Sequence, residues 1–537
     1  MQTVESLRIR NLRSFGSSGD YIPFKKLNIL VGRNSCGKST FLRTFPLLRQ
    51  SVQADTRSPI LWYGSYVDFG DLRTATNSSA QEVTFDFKIN INMTPTPELW
   101  ESLSWNYAKF LYSDFDGVAT EIPAELSLGI SEENGEILTK VSLHISHISI
   151  SYTYKGSEVV EFFVESTLLG KKEYFEDYRV IRKGRLIPTE FVKEGDMSTL
   201  TNFRPNSLRA INKEMRGKLI SYLTPFLAKN KSKLKKSINE QFSQLRFCLE
   251  SDVPKRILSV FSSDKAIRQH LAVNSEEISS NVFFYLAGVN YERLLEAADK
   301  SLEYFYSGVR YLGPVRASAE RFYRHQDLQV AEVDHTGANL PMVLNSLDKT
   351  TRARLNQWIK DSFGFTLELT KTDLHYAISI KEPESTTFHN VSDMGFGYSQ
   401  ILPVIVSIWL EKERAELDEK KRSRHSSNRL IGRKQQSVIV IEQPELHLHP
   451  ELQHKFGRAI SKIAQLQGGE DFCFMIETHS KHVVDAIGES IEDKILDHND
   501  VNITTFEKDS SGYTSTSLSG FDEDGYLKNW PAGFLSP

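Results

Sequence analysis

One segment of nine residues restricts the fold more than any other part of the chain. It is GRNSCGKST, residues 32–40, and its first eight residues fit the pattern G-x-x-x-x-G-K-[ST]. The apolar stretch at residues 27–31 precedes it and STFLRTFPLLRQ follows it, so the segment lies between a predicted buried strand and a predicted helix. This order of strand, glycine loop and helix predicts an α/β domain whose loop binds phosphate.

The residue types of this loop indicate its chemistry. Glycines allow the backbone to turn tightly, so that successive N–H groups point at phosphate oxygens, and the next helix adds its positive end. Lys38 would neutralise the β- and γ-phosphates, and the hydroxyl of Ser39 would bind Mg²⁺. We therefore expect a nucleoside triphosphate with Mg²⁺, bound by Gly32, Asn34, Ser35, Cys36, Gly37, Lys38, Ser39 and Thr40.

A second apolar strand, VIVI, ends at Glu442 and leads into QPELHLHP. Mg²⁺ bound between phosphates needs an acidic group from an adjacent strand, so we assign Glu442 to the metal together with Ser39; the alternative is a solvent-exposed strand end. Glu445 could reach the water that attacks the γ-phosphate. His447 and His449 could form a metal pair, but LHLHP lacks a third ligand, which favours a structural turn.

Two further segments combine a turn or a strand end with polar residues. SDMGFGYSQILPVIV contains Gly395 and Gly397 and then Ser399, which opens a predicted helix and offers N–H groups and a hydroxyl at its positive end. FMIETHS is a predicted buried strand that ends in Thr478–His479–Ser480, and His479 could donate a hydrogen bond to a γ-phosphate. Taken singly, a glycine turn and a structural histidine would each explain these residues as well.

In this order, the four segments resemble the ABC-type ATPase heads of the SMC and OLD families. The resemblance implies an α/β ABC-type P-loop head, and a homodimer or higher oligomer that holds ATP and Mg²⁺ between its copies. It makes Glu442 the Walker B acid, and it implies that the glycine–serine segment, the signature loop, closes on the nucleotide of the partner. The residues that it adds at the nucleotide are Gly395, Gly397, Ser399, His479 as the switch histidine, and Arg13 from NLRSF.

Several motifs narrow the resemblance to stand-alone bacterial ATPases. They are YVDFGDL, YLGPVRASAERFY, MGFGYSQILPVIV, IEQPELHLHP, ETHS and the closing WPAGF. They are similar to those of the PtuA ATPases of Septu antiphage systems, some of which are encoded beside retrons. This resemblance implies an ATPase subunit that controls a separate small HNH nuclease, PtuB-like. A retron-encoded system would add a reverse transcriptase with its DNA or RNA product.

Gln443 stands directly after the Walker B acid, where ABC heads carry the glutamate that polarises the attacking water. A glutamine can orient water but cannot accept its proton at neutral pH. Two interpretations remain open: Glu445 replaces the missing base, or hydrolysis is slow and ATP acts chiefly as a clamp. We favour slow turnover. The predicted catalytic residues are Glu442, Gln443, Glu445 and His479.

A long insertion separates the two parts of the predicted head. The pattern predicts head segments at residues 1–90 and 305–537, and an insertion over 91–304 that is first strand-rich and then helical. OLD enzymes carry a Toprim nuclease domain after the ATPase. The segment after His479 is too short for one, so we expect no Toprim domain.

The charge of the chain bears on a second hypothesis, an SMC-like clamp ATPase that binds DNA during repair or maintenance. A net charge of −4 over 537 residues excludes a globally basic nucleic-acid binder. KNKSKLKK, Lys229 to Lys236, could still contact phosphates, or could be a solvated helix face. The sequence lacks heptad arms of coiled-coil length, which weighs against the clamp.

Cysteine spacing and hydropathy indicate the compartment. Cys36, Cys248 and Cys473 are too far apart in sequence for a zinc or disulfide framework, as expected in a reducing cytosol. The apolar run at residues 401–410 is roughly half of a membrane span. The first residues, MQTVESLRIRNLRSF, lack a continuous apolar core. We expect a cytoplasmic protein without a membrane segment.

Overall fold

The computed structural model describes residues 3–54, 56, 58–92, 121–181, 186–194, 210–228, 241–242, 244–324, 328–372, 374–424, 436–466 and 472–529. The chain divides into two compact units. The head unit comprises Met1–Gln53, Leu61–Ala80 and Tyr304–Pro537, and the second unit comprises Ala54–Ile60 and Gln81–Glu303. Lys229 to Lys236 and the closing WPAGF lie outside the described residues.

A sheet of seven strands forms the centre of the head unit. Numbered along the chain, its strands are β3 (Leu27–Gly32), β12 (Val309–Leu312), β17 (Ser437–Glu442), β18 (Phe472–Glu477), β19 (Val501–Lys508), β20 (Thr514–Phe521) and β21 (Leu527–Lys528). Their order is β12-β17-β18-β3-β19-β20-β21. The first five are parallel and the last two pair antiparallel. Strands β3 and β18 are buried along their whole length, as expected for parallel strands with both faces covered.

The helices of the head unit connect or cover these strands. They are α1 (Lys38–Gln53), α2 (Leu72–Ala75), α7 (Leu340–Ser346), α8 (Lys349–Phe363), α9 (Phe396–Arg424), α10 (Pro450–Ala464) and α11 (Lys481–Glu492). Residues of α7 to α11 share one apolar core with β3, β17, β18 and β19. Because the carboxyl ends of parallel strands meet at one edge, the segments that follow β3, β12, β17 and β18 lie at the same edge of the sheet.

The head unit contains further strands. Strand β1 (Val4–Arg10) pairs antiparallel with β2 (Ile22–Pro23). A four-stranded antiparallel sheet of β13 (Tyr323–Arg324), β14 (Thr366–Thr372), β15 (His375–Lys381) and β16 (His389–Asn390) precedes α9 in the chain.

The second unit contains antiparallel strands followed by helices. The strands are β4 (Glu82–Asn92), β5 (Glu121–Glu133), β6 (Glu136–Ile145), β7 (Ile148–Lys155), β8 (Glu158–Ser166), β9 (Lys171–Tyr174), β10 (Tyr178–Ile181) and β11 (Glu190–Lys193). The described helices are α3 (Ala210–Leu223), α4 (Val253–Val260), α5 (Lys265–Val289) and α6 (Tyr291–Ser307), and the last four residues of α6 belong to the head unit. Strand β4 pairs with β5 along its whole length and belongs to this unit, although the sequence pattern assigns most of β4 to the head.

No helix within the described ranges is long and apolar enough to cross a bilayer. The apolar run at residues 401–410 instead lies within α9, where nine of its ten residues are buried. All three cysteines are buried and free.

Candidate nucleotide-binding site

The glycine loop joins β3 to α1, as the sequence predicts, and its shape requires glycine at both ends. Gly32 has φ 144° and Gly37 has φ 99°, a region that L side chains rarely adopt. A Cβ atom on Gly37 would lie 2.5 Å from Oγ1 of Thr514, and one on Gly32 would overlap the carbonyl oxygen of Phe506. The loop is therefore packed closely against the hairpin of β19 and β20, which fixes its backbone.

Lys38 is 3% exposed, and its ammonium group lies inside the loop. Its Nζ donates hydrogen bonds to the carbonyl oxygens of Gly32 at 3.0 Å and Arg33 at 2.9 Å. The Nζ is also 3.7 Å from Oε1 of Glu477. The hydroxyl of Ser39 donates to Oε2 of the same carboxylate at 2.8 Å. The two residues that the sequence assigns to phosphate and Mg²⁺ thus meet one common acid.

That acid is not the one chosen from the sequence. Glu442 is 2% exposed, and its carboxylate accepts a two-pronged ion pair from Arg43, with Nε to Oε1 at 2.8 Å and Nη2 to Oε2 at 2.9 Å. Tyr311 donates its hydroxyl to the same Oε1 at 2.8 Å. The hydrogen bond to Glu442 raises the pKa of Arg43, so this guanidinium stays charged. Among the described residues, the carboxylate of Glu442 accepts hydrogen bonds from Arg43 and Tyr311, whereas the hydroxyl of Ser39 donates to Glu477.

The order of the strands explains this difference. We expected the strand of Glu442 to be adjacent to the loop strand β3, and this is wrong, because β18 lies between β17 and β3. Glu442 and Glu477 are register partners at the ends of β17 and β18, so the second acid stands one strand closer to the loop. Burial raises the pKa of Glu477. The signal in the sequence was available, since FMIE is an apolar strand that ends in an acid just before His479.

Glu445 and His479 come together at the same edge. The backbone N–H of His479 donates to Oε1 of Glu445 at 2.7 Å, while Oε2 of Glu445 and Nε2 of His479 are buried without a partner among the described residues. Burial raises the pKa of Glu445, and burial and then the charge of Lys38 lower the pKa of His479. A histidine of lowered pKa and a carboxyl of raised pKa are suited to exchange protons with a bound group.

Gln443, the residue after Glu442, has a strained backbone conformation. Its φ is 45°, and its backbone N–H donates to the carbonyl oxygen of Glu477 at 2.9 Å. A positive φ is uncommon for residues other than glycine, and such residues cluster at functional sites. The residue that follows Glu442 is therefore on a backbone that is tied to the neighbouring strand.

Arg316, which the sequence interpretation did not single out, is buried behind the acids. Its Nη2 donates to the carbonyl oxygen of Glu442 at 2.8 Å, and its own carbonyl oxygen accepts from Nε2 of Gln400 at 3.4 Å. Its Nε and Nη1 have no partner within the described ranges. Burial lowers the pKa of Arg316 to about 10. The residue connects the end of β17 with the first turns of α9.

The signature loop leads directly into α9. Gly395 has φ 81° and open space around its Cα, whereas a Cβ atom on Gly397 would lie 2.8 Å from the carbonyl oxygen of His447. The hydroxyl of Ser399 is turned inward and donates to the carbonyl oxygen of Phe396 at 2.7 Å, so it does not project from the helix end as expected. Phe396, the first residue of α9, is instead 61% exposed.

His449 has a structural role in the turn after Gln443. It is the N-cap of α10, and its Nδ1 accepts from the backbone N–H of Glu451 at 3.4 Å. In the part of the chain that the structure describes, no group of three or more His, Cys, Asp or Glu side chains could hold a metal ion by itself. A cation here would thus need oxygen atoms from a nucleotide as well.

Arg13 lies beside the loop region, on a backbone with φ 50°. Its Nη2 donates to the carbonyl oxygen of Asp68 at 3.3 Å, and its guanidinium carbon is 4.2 Å from the ring centre of Phe69. Burial and the nearby charge of Arg43 lower its pKa. The motif YVDFGDL therefore packs on Arg13, and Arg13 adds positive charge on the side of Arg43.

The residues present fit a nucleotide with Mg²⁺. The hydroxyl of Ser39 and the carboxylate of Glu477 are hard oxygen donors of the kind that Mg²⁺ prefers. The buried atoms without partners on Glu445 and His479 mark positions where a bound group would complete the hydrogen bonding. When bound, Mg²⁺ would neutralise phosphate charge and orient the γ-phosphate.

Comparison with known proteins gives the family. The profile of AAA_15, described as an AAA ATPase domain, matches residues 3–484. Among solved structures, the chain is similar to an Smc head domain with a coiled coil and joint from Pyrococcus yayanosii, with 11% identity, 98% of each chain covered and a TM-score of 0.32. An SMC head domain from Thermotoga maritima gives 11% identity, 96% of this chain and 98% of that chain, and a TM-score of 0.32.

A third similar structure is the recombination mediator protein RecF with ATPrS, at 11% identity, 96% of this chain and 98% of that chain, and a TM-score of 0.27. No match was found among curated proteins. The family profile covers the glycine loop, the acid strand β17, the signature loop and His479. This chain therefore belongs to the AAA_15 family of AAA ATPase domains, and its α/β head carries the phosphate loop at the end of a strand in a largely parallel sheet.

Proposed function

We propose that this ATPase is a slow, regulatory subunit of a bacterial antiphage defence complex, which dimerises around ATP and controls a separate HNH-type nuclease. The observation that carries the proposal is the combination of a complete phosphate loop with Gln443 at the usual position of the catalytic base. An ATPase with this combination holds its nucleotide for a long time, which suits a switch better than a motor.

The dimer part of the proposal is supported by the start of α9. Gly395 and Phe396 leave backbone and an aromatic ring exposed in their own chain, at the N-terminal end of a long helix. An exposed aromatic residue at such an end is a ready contact for a second copy with bound phosphate. In this arrangement each nucleotide lies between the Lys38 loop of one copy and the Gly395–Ser399 segment of the other.

The nuclease part rests on the resemblance of the motifs to PtuA. IEQPELHLHP and ETHS occupy the nucleotide edge of the sheet, and YVDFGDL packs against Arg13 beside it. On this proposal, ATP-bound dimers retain the nuclease and an infection signal releases or activates it. Where the system is retron-encoded, the reverse transcriptase and its nucleic acid product join the complex. The alternative function, a DNA clamp for repair or maintenance, needs the basic segment at Lys229–Lys236.

A phosphate-release assay tests the slow turnover. We expect the wild-type chain to hydrolyse ATP far below the rates of about 1–10³ per second that are typical of enzymes. The variants Gln443→Ala and Glu445→Gln separate the two possible water-activating residues, and Gln357→Ala, an exposed glutamine on α8, is the matched control. Rapid turnover that Gln443→Ala abolishes would refute the proposal that hydrolysis is slow. Rapid turnover that Glu445→Gln abolishes would make Glu445 the base.

Co-purification with the neighbouring gene products tests the partner. We expect an HNH protein to associate with the chain, and ATP with Mg²⁺ to change the amount bound. If the chain binds no nuclease and instead retains DNA in an ATP-dependent way, the clamp alternative is correct and the defence proposal is wrong.

A further inference from the structure

We infer that Arg316 is a positioning residue, which fixes the peptide between Glu442 and Gln443 and thereby sets where the side chain of Gln443 stands. The inference rests on the proposed function, because it concerns the slow hydrolysis of ATP that we propose for this chain. Three observations carry it: the peptide is held at both of its polar groups, β12 supplies no backbone donor to it, and Arg316 is itself anchored.

The peptide between Glu442 and Gln443 is held on both sides. The carbonyl oxygen of Glu442 accepts a hydrogen bond from Nη2 of Arg316 at 2.8 Å. The N–H of Gln443 donates to the carbonyl oxygen of Glu477 at 2.9 Å. A trans peptide is planar and its C=O and N–H groups point in opposite directions, so the two hydrogen bonds together resist rotation of the plane. Such a rotation would change φ of Gln443, and these hydrogen bonds therefore keep Gln443 at its unusual φ of 45°.

Arg316 replaces a donor that the neighbouring strand cannot supply. Strand β12 pairs in parallel with β17, and the N–H of Val438 donates to the carbonyl oxygen of Gly308 at 3.1 Å. In a parallel ladder this pattern repeats every two residues, so the carbonyl oxygen of Glu442 would accept from the N–H of residue 314. Pro314 has no N–H, and the guanidinium of Arg316, two residues further on, supplies the donor instead.

The backbone of Arg316 is anchored in turn. Its carbonyl oxygen accepts from Nε2 of Gln400 at 3.4 Å, and the next N–H, that of Ala317, donates to the carbonyl oxygen of Thr336 at 2.8 Å. Arg316 is 3% exposed, and its Nε and Nη1 have no partner among the described residues. Buried donors without partners lower stability, so an apolar side chain would serve a purely structural role better. The cost of burying this guanidinium is consistent with a residue that serves the site.

Single-turnover hydrolysis of radiolabelled ATP by an excess of the full chain tests the functional part. For Arg316→Met we expect the rate to fall about 10- to 100-fold, because a misplaced group costs up to about 10² in rate. Affinity for a fluorescent ATP analogue should stay within about threefold of the wild type, since the phosphate loop is unchanged. In a Gln443→Ala background, Arg316→Met should lower the rate by less than a further threefold or so, because Arg316 acts through residue 443. The matched control is Arg354→Met, which changes an arginine on the surface of α8.

Hydrogen exchange of the Gln443 amide, followed without nucleotide, tests the structural part separately. Loss of the donor to the carbonyl of Glu442 frees the peptide plane, so Arg316→Met should speed exchange of this amide at least about fivefold. Exchange within β18 should change less than about twofold, which separates a local effect from general unfolding. Arg316→Lys keeps one donor and should lie between the wild type and Arg316→Met in both measurements. If Arg316→Met does not fold, Arg316→Gln, whose polar side chain is too short to replace the guanidinium, takes its place with the same expected results.

Unchanged exchange of the Gln443 amide in Arg316→Met would overturn the inference. An equal loss of rate in the wild-type and Gln443→Ala backgrounds would also overturn it, because Arg316 would then act by another route. A fall in ATP affinity as large as the fall in rate would place the effect on nucleotide binding and would have the same consequence. A wild-type chain that binds no ATP would overturn the proposed function, and exchange of the amide would still decide the inference.

Discussion

The ion pair between Arg43 and Glu442 gives the sharpest stability prediction. Replacing Arg43 by methionine keeps much of the side-chain length but removes both donors to Glu442, which is 2% exposed. Tyr311 would then be the remaining described donor to a buried carboxylate. Removing one partner of a buried ion pair leaves an uncompensated charge, and this is more damaging than removing both partners.

The size of the effect follows from burial. Such a loss costs about 3–5 kcal/mol, and we take about 3 kcal/mol because the side chain of Arg43 is 35% exposed and water screens part of the charge. The head unit has about 300 residues, which at about 2.1 cal/mol/K per residue gives an unfolding entropy near 0.6 kcal/mol/K. The melting temperature of Arg43→Met should therefore fall by about 5 °C.

Thermal unfolding without nucleotide, followed by circular dichroism, measures this shift. The matched control is Arg354→Met, which breaks an ion pair with Glu413 at the surface, where Arg354 is 47% exposed; such a pair is worth less than about 1 kcal/mol. Adding Glu442→Gln to Arg43→Met should restore more than half of the loss, since the buried charge is then gone. Equal shifts for the Arg43 and Arg354 variants would refute the reasoning.

Three further predictions concern the site. Gly37→Ala should weaken ATP binding at least about tenfold, because its Cβ would lie 2.5 Å from Thr514. The control Gly135→Ala should bind ATP normally, because Gly135 has a positive φ of 82° but open space around it. Equal affinities of the two variants would contradict this prediction. Since burial raises the pKa of Glu445 above 4.5, the wild type loses stability as pH rises through that raised pKa. Glu445→Gln should then melt above the wild type at pH 8, with the gap closing toward about pH 4, and a constant gap would be inconsistent with the shift. The pKa of His479 lies below 6.5, so the wild type loses stability as pH falls below 6.5. The melting temperature of His479→Gln should therefore fall less than that of the wild type between about pH 6.5 and 5. Parallel melting curves for the two proteins would contradict this prediction.

Contiguous features of the site could be predicted from the sequence. The strand, the loop from Gly32 to Lys38 and the helix that follows are consecutive, and each residue type has one local reason to be there. The parallel α/β head and its interruption by a strand-rich and then helical segment were also visible, because burial on both faces gives continuous apolar strands such as VIVI and FMI.

Features that depend on distant pairing could not be predicted in the same way. Whether Glu442 or Glu477 meets Ser39 is decided by which strand lies next to β3, and both strands end in an acid after an apolar run. The partner of Glu442 is Arg43, a residue of α1 that looks like an ordinary surface arginine in sequence. The assignment of β4 to the second unit likewise follows from its pairing with β5.

Side-chain direction was the other limit of prediction. Ser399 was expected to offer its hydroxyl at the end of a helix, but α9 begins at Phe396, so Ser399 lies within the first turn and bonds back to it. Arg316 lies within YLGPVRASAERFY, but nothing in that motif distinguishes it, and it is recognised through the buried atoms that it leaves without partners among the described residues. Both cases depend on where a helix begins or what surrounds a side chain, which spacing alone does not specify.

A mixing experiment tests most directly whether one copy's loop and another copy's signature segment form the nucleotide site together. Lys38→Ala removes the phosphate lysine, and Gly395→Arg places a bulky charge where the chain's own structure has open space. Retention of ATP by dimers is measured for each variant and for an equal mixture. We expect almost no retention by either variant alone and about a quarter of the wild-type amount for the mixture, because about half of the dimers are mixed and each of these has one intact site. Retention by the mixture that merely equals the average of the two variants would contradict a shared site.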